Sequence, residues 1–106
     1  MRILLVVYIP EHAFKSVTEA LFNAGAGQVG GYRHCGWSVL GKGQFIPEPS
    51  AKPYLGEPGK ASQVPEMRFE CPVDMHSIQA VLGALKDAHP YEEPVYYVLK
   101  DQINEI

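Results

Sequence analysis

Residues 3–9 (ILLVVYI) form an unbroken apolar run of strand length, rich in β-branched side chains. That composition suits a central strand covered on at least one face. After Pro10, the residues Phe14, Val17, Leu21 and Ala24 recur at helical spacing with Ala13 and Ala20 beside them. They predict an amphipathic helix of about three to four turns, with Gly25 and Gly27 as its C-terminal stop. The rhythm then returns: Met67, Phe69, Cys71 and Val73 alternate, and Asp74 is a good N-cap. Ile78, Val81, Leu82, Leu85 and Ala88 mark a second helical stripe, which Pro90 ends. A shift of 64 residues lays Ile3 on Met67, Leu5 on Phe69, Val7 on Cys71, Phe14 on Ile78, Val17 on Val81, Leu21 on Leu85 and Ala24 on Ala88. The same shift pairs His12 with His76 and Tyr32 with Tyr96.

A strand, helix, strand unit used twice predicts an α+β domain of ferredoxin-like βαββαβ architecture, a four-stranded antiparallel sheet with both helices on one face. The spatial order is then 4-1-3-2. The second strand falls at roughly residues 30–39 and the fourth at roughly 94–100, each at a sheet edge whose unpaired backbone groups need cover. Pairing between copies of the chain is one way to supply it. Residues 40–65 carry five of the nine prolines and four of the ten glycines, and read as a long irregular connection between the second and third strands. Connections of that length are common places for ligand or partner contact.

Composition narrows the class. With 106 residues, 46% hydrophobic and 20% charged, the chain is globular in type, and residues 1–106 read as one domain. The net charge of −3 is split unevenly: residues 1–53 hold five Lys/Arg against three Asp/Glu, and residues 54–106 hold four against nine. The asymmetry could help copies dock head to tail. It provides no basic stripe for nucleic acid. The first apolar run is too short to span a bilayer and meets Pro10 and Glu11 without a cleavage signal, so no membrane partner and a cytoplasmic location are expected. Two cysteines, Cys35 and Cys71, read as free thiols rather than a disulfide scaffold.

Three motifs carry candidate chemistry. GWSVLGKG, residues 36–43, approaches the phosphate-cradling GxxxxGK[ST] pattern, but Gly43 occupies the hydroxyl position and QFIPEP follows where a helix must begin. It reads as a glycine-rich turn, with Lys42 and loop amides, aided by Lys52 or Lys60, as an anion attractor. His34 and Cys35 are metal-capable types, yet on a regular strand they point to opposite faces. Cys35 would then share a face with Trp37 as a packed thiol. HPYEEP gathers His89, Tyr91, Glu92 and Glu93 within five residues, enough to bind a cation or move a proton, although a proline-framed turn with solvated carboxylates explains the same residues.

Taken together, PEHAFKSVTEALFNAGAGQVGGYRHCGWS, GKGQFIP, KPYLGEPGK and ALKDAHPYEEPVYYV resemble the CutA-like or PII-like domain inserted in larger members of the Nif-three-like family, here standing alone. The likeness covers roughly residues 3–99. It implies the ferredoxin-like fold and a trimer, since CutA and PII proteins are trimers whose edge strands meet between subunits. The dinuclear metal ligands of the larger, hydrolase-like members lie in flanking domains, so a hydrolase reading loses its usual support. By architectural analogy with PII clefts, His34, Gly41, Lys42 and Gly43 of one subunit would face His89, Tyr91, Glu92 and Glu93 of its neighbour across a site for a small anionic ligand or a metal ion.

The leading expectation is therefore a ligand-binding or sensory module, with a trimeric interaction module docking on a protein partner second. A metal-dependent hydrolase using His89 or Glu92 as base comes third, lacking a nucleophile or complete ligand set. The residues themselves specify no cofactor and no particular metal.

Overall fold

The chain is described by a computed structural model over residues 2–100. Strand β1 (Arg2–Pro10) passes through a 3-10 turn, Glu11–Ala13, into α1 (Phe14–Asn23); β2 (Trp37–Phe45) and β3 (Ser62–Asp74) follow. A second 3-10 turn, Met75–Ser77, leads into α2 (Ile78–Ala88), and β4 is Tyr96–Lys100. Among the described residues the strands form one antiparallel sheet in the order β2-β3-β1-β4. This is the βαββαβ ferredoxin-like arrangement.

Alternation along the strands sets the two faces. Ile3, Leu5 and Val7 lie opposite Val73, Cys71 and Phe69, and all six are buried against Val17 and Leu21 of α1 and Val81 and Leu85 of α2. Each such aliphatic side chain contributes on the order of 1.5–3 kcal/mol of transfer free energy. Burial also pushes the Cys71 thiol up to about 12, so that side chain packs as an inert apolar group. On the opposite face, the side chains of Arg68 and Glu70 pair at 2.9 Å, and exposed apolar residues flank them: Trp37 on β2, Tyr97 and Leu99 on β4. No helix among the described residues is long and apolar enough to cross a membrane.

The 64-residue repeat is physical through its first two elements. It carries Pro10 to Asp74, the first 3-10 turn onto the second, and Phe14 onto Ile78, the first residues of the two helices. Asp74 caps the second turn by accepting from the His76 amide at 2.9 Å; that bond, with the His76 ring beside it, holds its carboxyl below the usual range. The repeat ends there. Tyr96 lies in β4 against the core, whereas Tyr32 is 75% exposed in a small bridge with Val29.

The second strand begins later than the sequence predicts, at Trp37 rather than near residue 30. Residues 24–36 turn repeatedly, with Gly25, Gly27, Gly30 and His34 at positive φ, a conformation no strand accommodates. His34 and Cys35 are consequently not strand neighbours, and Cys35 does not alternate with Trp37; its amide donates to Gly27 O at 2.8 Å. The fourth strand starts at Tyr96, two residues after the expected start.

The expectation that residues 40–65 are wholly irregular also fails, as does the glycine-rich turn at residues 36–43. Trp37–Phe45 pairs with Ser62–Glu70 throughout, leaving residues 46–61 as the connection. The prolines of β3 are tolerated because each faces a side where its strand has no neighbour. The carbonyl of Pro72 accepts from Gly27 N–H at 2.8 Å, so its backbone points away from β1, beyond the end of β2 pairing at Glu70. Pro65, of opposite parity, points toward the side that β1 has already left at Glu66.

Candidate functional site

Because β1 pairs with β3 only as far as Pro10 with Glu66, while β2 follows β3 on to Phe45 with Ser62, the two strands project as an arm beyond the rest of the sheet. Residues 46–61 fold back from its tip, and the segment between α2 and β4 approaches from the other side. Together they frame a half-open cavity of about 450 Å³. Tyr8 and Glu66 line its base, Lys42, Gly43 and Phe45 the arm, and Tyr91, Glu92 and Glu93 the opposite wall. Pro53, Tyr54 and Leu55 of the connection complete it.

The HPYEEP segment is held from within. His89 is 5% exposed; its Nε2 lies 2.7 Å from Tyr8 O, and its Nδ1 accepts from the Tyr91 amide at 3.1 Å. A carbonyl can only accept and an amide N–H can only donate, so the ring is the neutral Nε2–H tautomer. Burial lowers the His89 pKa, against the opposing effects of the Tyr8 carbonyl and the Glu66 charge. The Tyr91 hydroxyl then donates to Glu66 Oε2 at 2.6 Å; burial, reinforced by that carboxylate, raises its pKa and keeps the phenol protonated.

The connection is tied down at two points, one on the HPYEEP segment and one on the 3-10 turn after β1. The Lys52 amide donates to Glu92 Oε1 at 3.1 Å, and the Tyr54 hydroxyl meets His12 Nε2 at 2.9 Å. Tyr54 and Tyr91 face each other with ring centroids 6.5 Å apart. Pro47 O also accepts from the Gly59 amide at 2.6 Å, closing the connection on itself.

Of the residues singled out in the sequence, Lys42, Gly43, Tyr91, Glu92 and Glu93 line this one cavity. Architectural analogy with PII clefts sets them on opposite sides of a subunit boundary; within this single chain they already stand together. His89 stands behind the wall as the residue that positions Tyr91. Gly41 pairs opposite Glu66 but is not part of the lining, and His34 is elsewhere, stacked on Phe22 with centroids 4.5 Å apart. Among the described residues no three His, Cys, Asp or Glu side chains converge as a metal centre would require. Sequence reasoning missed Tyr8, Phe45, Tyr54 and Glu66. Tyr8 is the one polar-tipped side chain in ILLVVYI and Tyr54 an aromatic in a proline-rich connection, but only the register of β2 on β3 brings Glu66 to Gly43.

That register explains the glycine. A Cβ on Gly43 would collide with the Glu66 carboxyl group, so any larger residue displaces the acceptor of the Tyr91 hydroxyl. Gly43→Ala is expected to cost about 1.5–3 kcal/mol, the worth of a hydrogen bond to a charged group. It should also quench the difference in Tyr91 environment seen in ultraviolet difference spectra between folded and unfolded protein. An unchanged urea midpoint would mean that Glu66 has room to move.

The fold defines the class: a ferredoxin-like domain of the CutA/PII-like kind. The PII-like protein CutA from Nostoc sp. PCC 7120 superposes with a TM-score of 0.66 over 100% of this chain and 86% of its own, at 17% identity, a likeness of fold. Sequence narrows it further. The chain is homologous to a portion, about a quarter of the length, of NIF3-related proteins, the GTP cyclohydrolase 1 type 2 homologs. That of Mycobacterium leprae is 45% identical over 91 residues, 86% of this chain and 24% of that protein. The Bacillus cereus protein related to NIF3 superposes with a TM-score of 0.78 at 36% identity, over 92% of this chain and 25% of the other. No family model matches the chain.

Proposed function

We propose that this domain is a ligand-binding, regulatory module whose cavity under the β2–β3 arm takes a small molecule, with residues 46–61 as the element that responds. The observation that carries the reading is the cleft itself: about 450 Å³, within the size range of small-molecule sites, walled by three segments distant in sequence. Occupancy stabilises whichever arrangement of the walls it contacts best. The ties from Lys52 to Glu92 and from Tyr54 to His12 are the bonds through which occupancy would be felt by the connection.

Native mass spectrometry of freshly purified protein, paired with limited proteolysis, tests this. A small-molecule adduct lost on unfolding is expected, with cleavage in residues 46–61 slower while it is retained. Bare chains with the same cleavage rate before and after unfolding and refolding would overturn the reading.

A second reading, a homotrimeric assembly module, is favoured by the helix-free sheet face, where Trp37 is 58% and Tyr97 53% exposed. Large apolar side chains grouped on one face are a common mark of protein contact. The same mass spectra count subunits, and a monomer would remove this reading.

A further inference from the structure

Three carboxylates, Glu66, Glu92 and Glu93, share the cavity with one ammonium, Lys42. None of the four is in a salt bridge among the described residues, where the pairs are Lys60 with Glu57, Arg68 with Glu70 and His76 with Asp74. The cavity therefore has a surplus of negative charge that the protein does not itself neutralise. An anion entering it would meet that surplus, and a neutral molecule would strip water from the carboxylates without replacing it.

The walls decide what kind of cation fits. Phe45, Tyr54 and Tyr91 bring aromatic residues to one cleft, whereas the Tyr8 ring already carries the Arg68 guanidinium, 5.7 Å from its centroid. Phe45 and Tyr91 have centroids 6.3 Å apart, and Tyr91 and Tyr54 6.5 Å. Tyr91 is fixed by its bond to Glu66, so its ring is held in place before a ligand arrives. Pro47, Ala51 and Val95 add apolar surface. The carboxylates do not converge tightly enough to replace the inner shell of a bare metal ion, which needs several oxygens at about 2.0–2.6 Å. Their diffuse charge and the aromatic faces suit instead an organic cation whose charge is spread over alkyl groups, the arrangement by which aromatic cages hold quaternary ammonium.

We propose that the cavity beneath the β2–β3 arm is a site for a small, free organic cation of the quaternary or alkylated ammonium class, held by Tyr54, Tyr91 and Phe45 with Glu66 and Glu93 supplying the counter-charge. The inference rests on the ligand-binding reading of the cavity and assigns the ligand its charge and shape. A volume of about 450 Å³ suits a whole small molecule as the occupant.

Isothermal titration with choline, benzyltrimethylammonium, 3,3-dimethylbutan-1-ol (the neutral isostere of choline) and inorganic phosphate tests it on the whole chain. The cations are expected to bind at least about tenfold more tightly than the neutral alcohol, with no phosphate binding. Glu93→Gln, at a side chain with no hydrogen bond or ion pair among the described residues, should weaken cation binding about fivefold or more while leaving the circular dichroism spectrum unchanged. Tyr54→Leu, which removes the ring, should weaken it similarly, whereas Tyr54→Phe, which keeps the ring and loses only the bond to His12, should bind within about twofold of the parent. Phosphate or the neutral alcohol binding as tightly as the cations would overturn the cation assignment and leave the ligand-binding reading standing. Silence from all four probes would also overturn the assignment, and the co-purified adduct would then judge the ligand-binding reading separately.

Discussion

Replacing Leu85 by alanine is expected to lower the free energy of unfolding by about 2–5 kcal/mol, and replacing Leu21 by a similar amount. Both side chains are completely buried in one cluster, beneath the sheet residues Leu5, Val7 and Cys71. They are equivalents under the 64-residue shift, each on the face its helix turns to the sheet. Truncation removes the transfer free energy of the missing carbons and leaves a void that a close-packed core only partly closes. Against a typical total of about 5–15 kcal/mol for a domain, either change consumes a large share. Urea titration read by circular dichroism should therefore move the two midpoints together. A loss at one position without the other would mean that only one helix is committed to the core.

This equivalence is also the part of the molecule most legible in the chain. Apolar periodicity is imposed by burial, and burial is shared by the two helices, so the two stripes repeat down to the 3-10 turns that precede them. The fold follows from that repeat. The second strands do not repeat, because β2 is an edge strand that gains its regularity from β3 rather than from its own sequence. Its helix-side and open-side positions are both exposed for most of its length, which erases the alternation that marks a strand. Glycines in and just before it read as a turn until the partner is known: Gly43 lies where a Cβ would strike Glu66, and Gly36, one residue before the strand, where one would strike the Phe69 ring. Both are consequences of register, which a linear reading does not contain.

The cavity was legible in proportion to how local its chemistry is. HPYEEP and the glycine-lysine stretch announce themselves as clusters, and both contribute to the wall. Glu66 and Tyr8 are neighbours of those clusters only through strand pairing, and Tyr54 only through the folding back of residues 46–61. His34 is the converse case. Its residue type suggested a ligand, whereas a positive φ of 57° and the face of Phe22 give it a structural place at the end of α1. The division of labour inside HPYEEP was also hidden: Tyr91, Glu92 and Glu93 reach the cavity, while His89 turns inward and fixes their path.

That inward turn makes His89 the source of a pH-dependent stability. Its ring spends both nitrogens as a neutral imidazole, donating to Tyr8 O and accepting from the Tyr91 amide. Protonation would set an N–H against an N–H and place a charge in a buried site, which is why burial lowers its pKa below the ordinary value despite Tyr8 O and Glu66. In the unfolded chain the same ring titrates near about 6.5. Above that value neither state takes a proton and the full contribution is present. As pH falls from there through the lower folded value, the unfolded state binds the proton first and stability is lost, at no more than about 1.4 kcal/mol per pH unit for one group. Replacing His89 by alanine should cost about 2–4 kcal/mol at neutral pH, because the Tyr8 carbonyl and the Tyr91 amide each lose a partner. It should also flatten this acid limb, since the titrating group is gone. Urea midpoints of the parent and His89→Ala at about pH 7.5 and about pH 5.5 separate the two effects. A parent protein whose acid loss survives the substitution intact would place the sensitivity on another group.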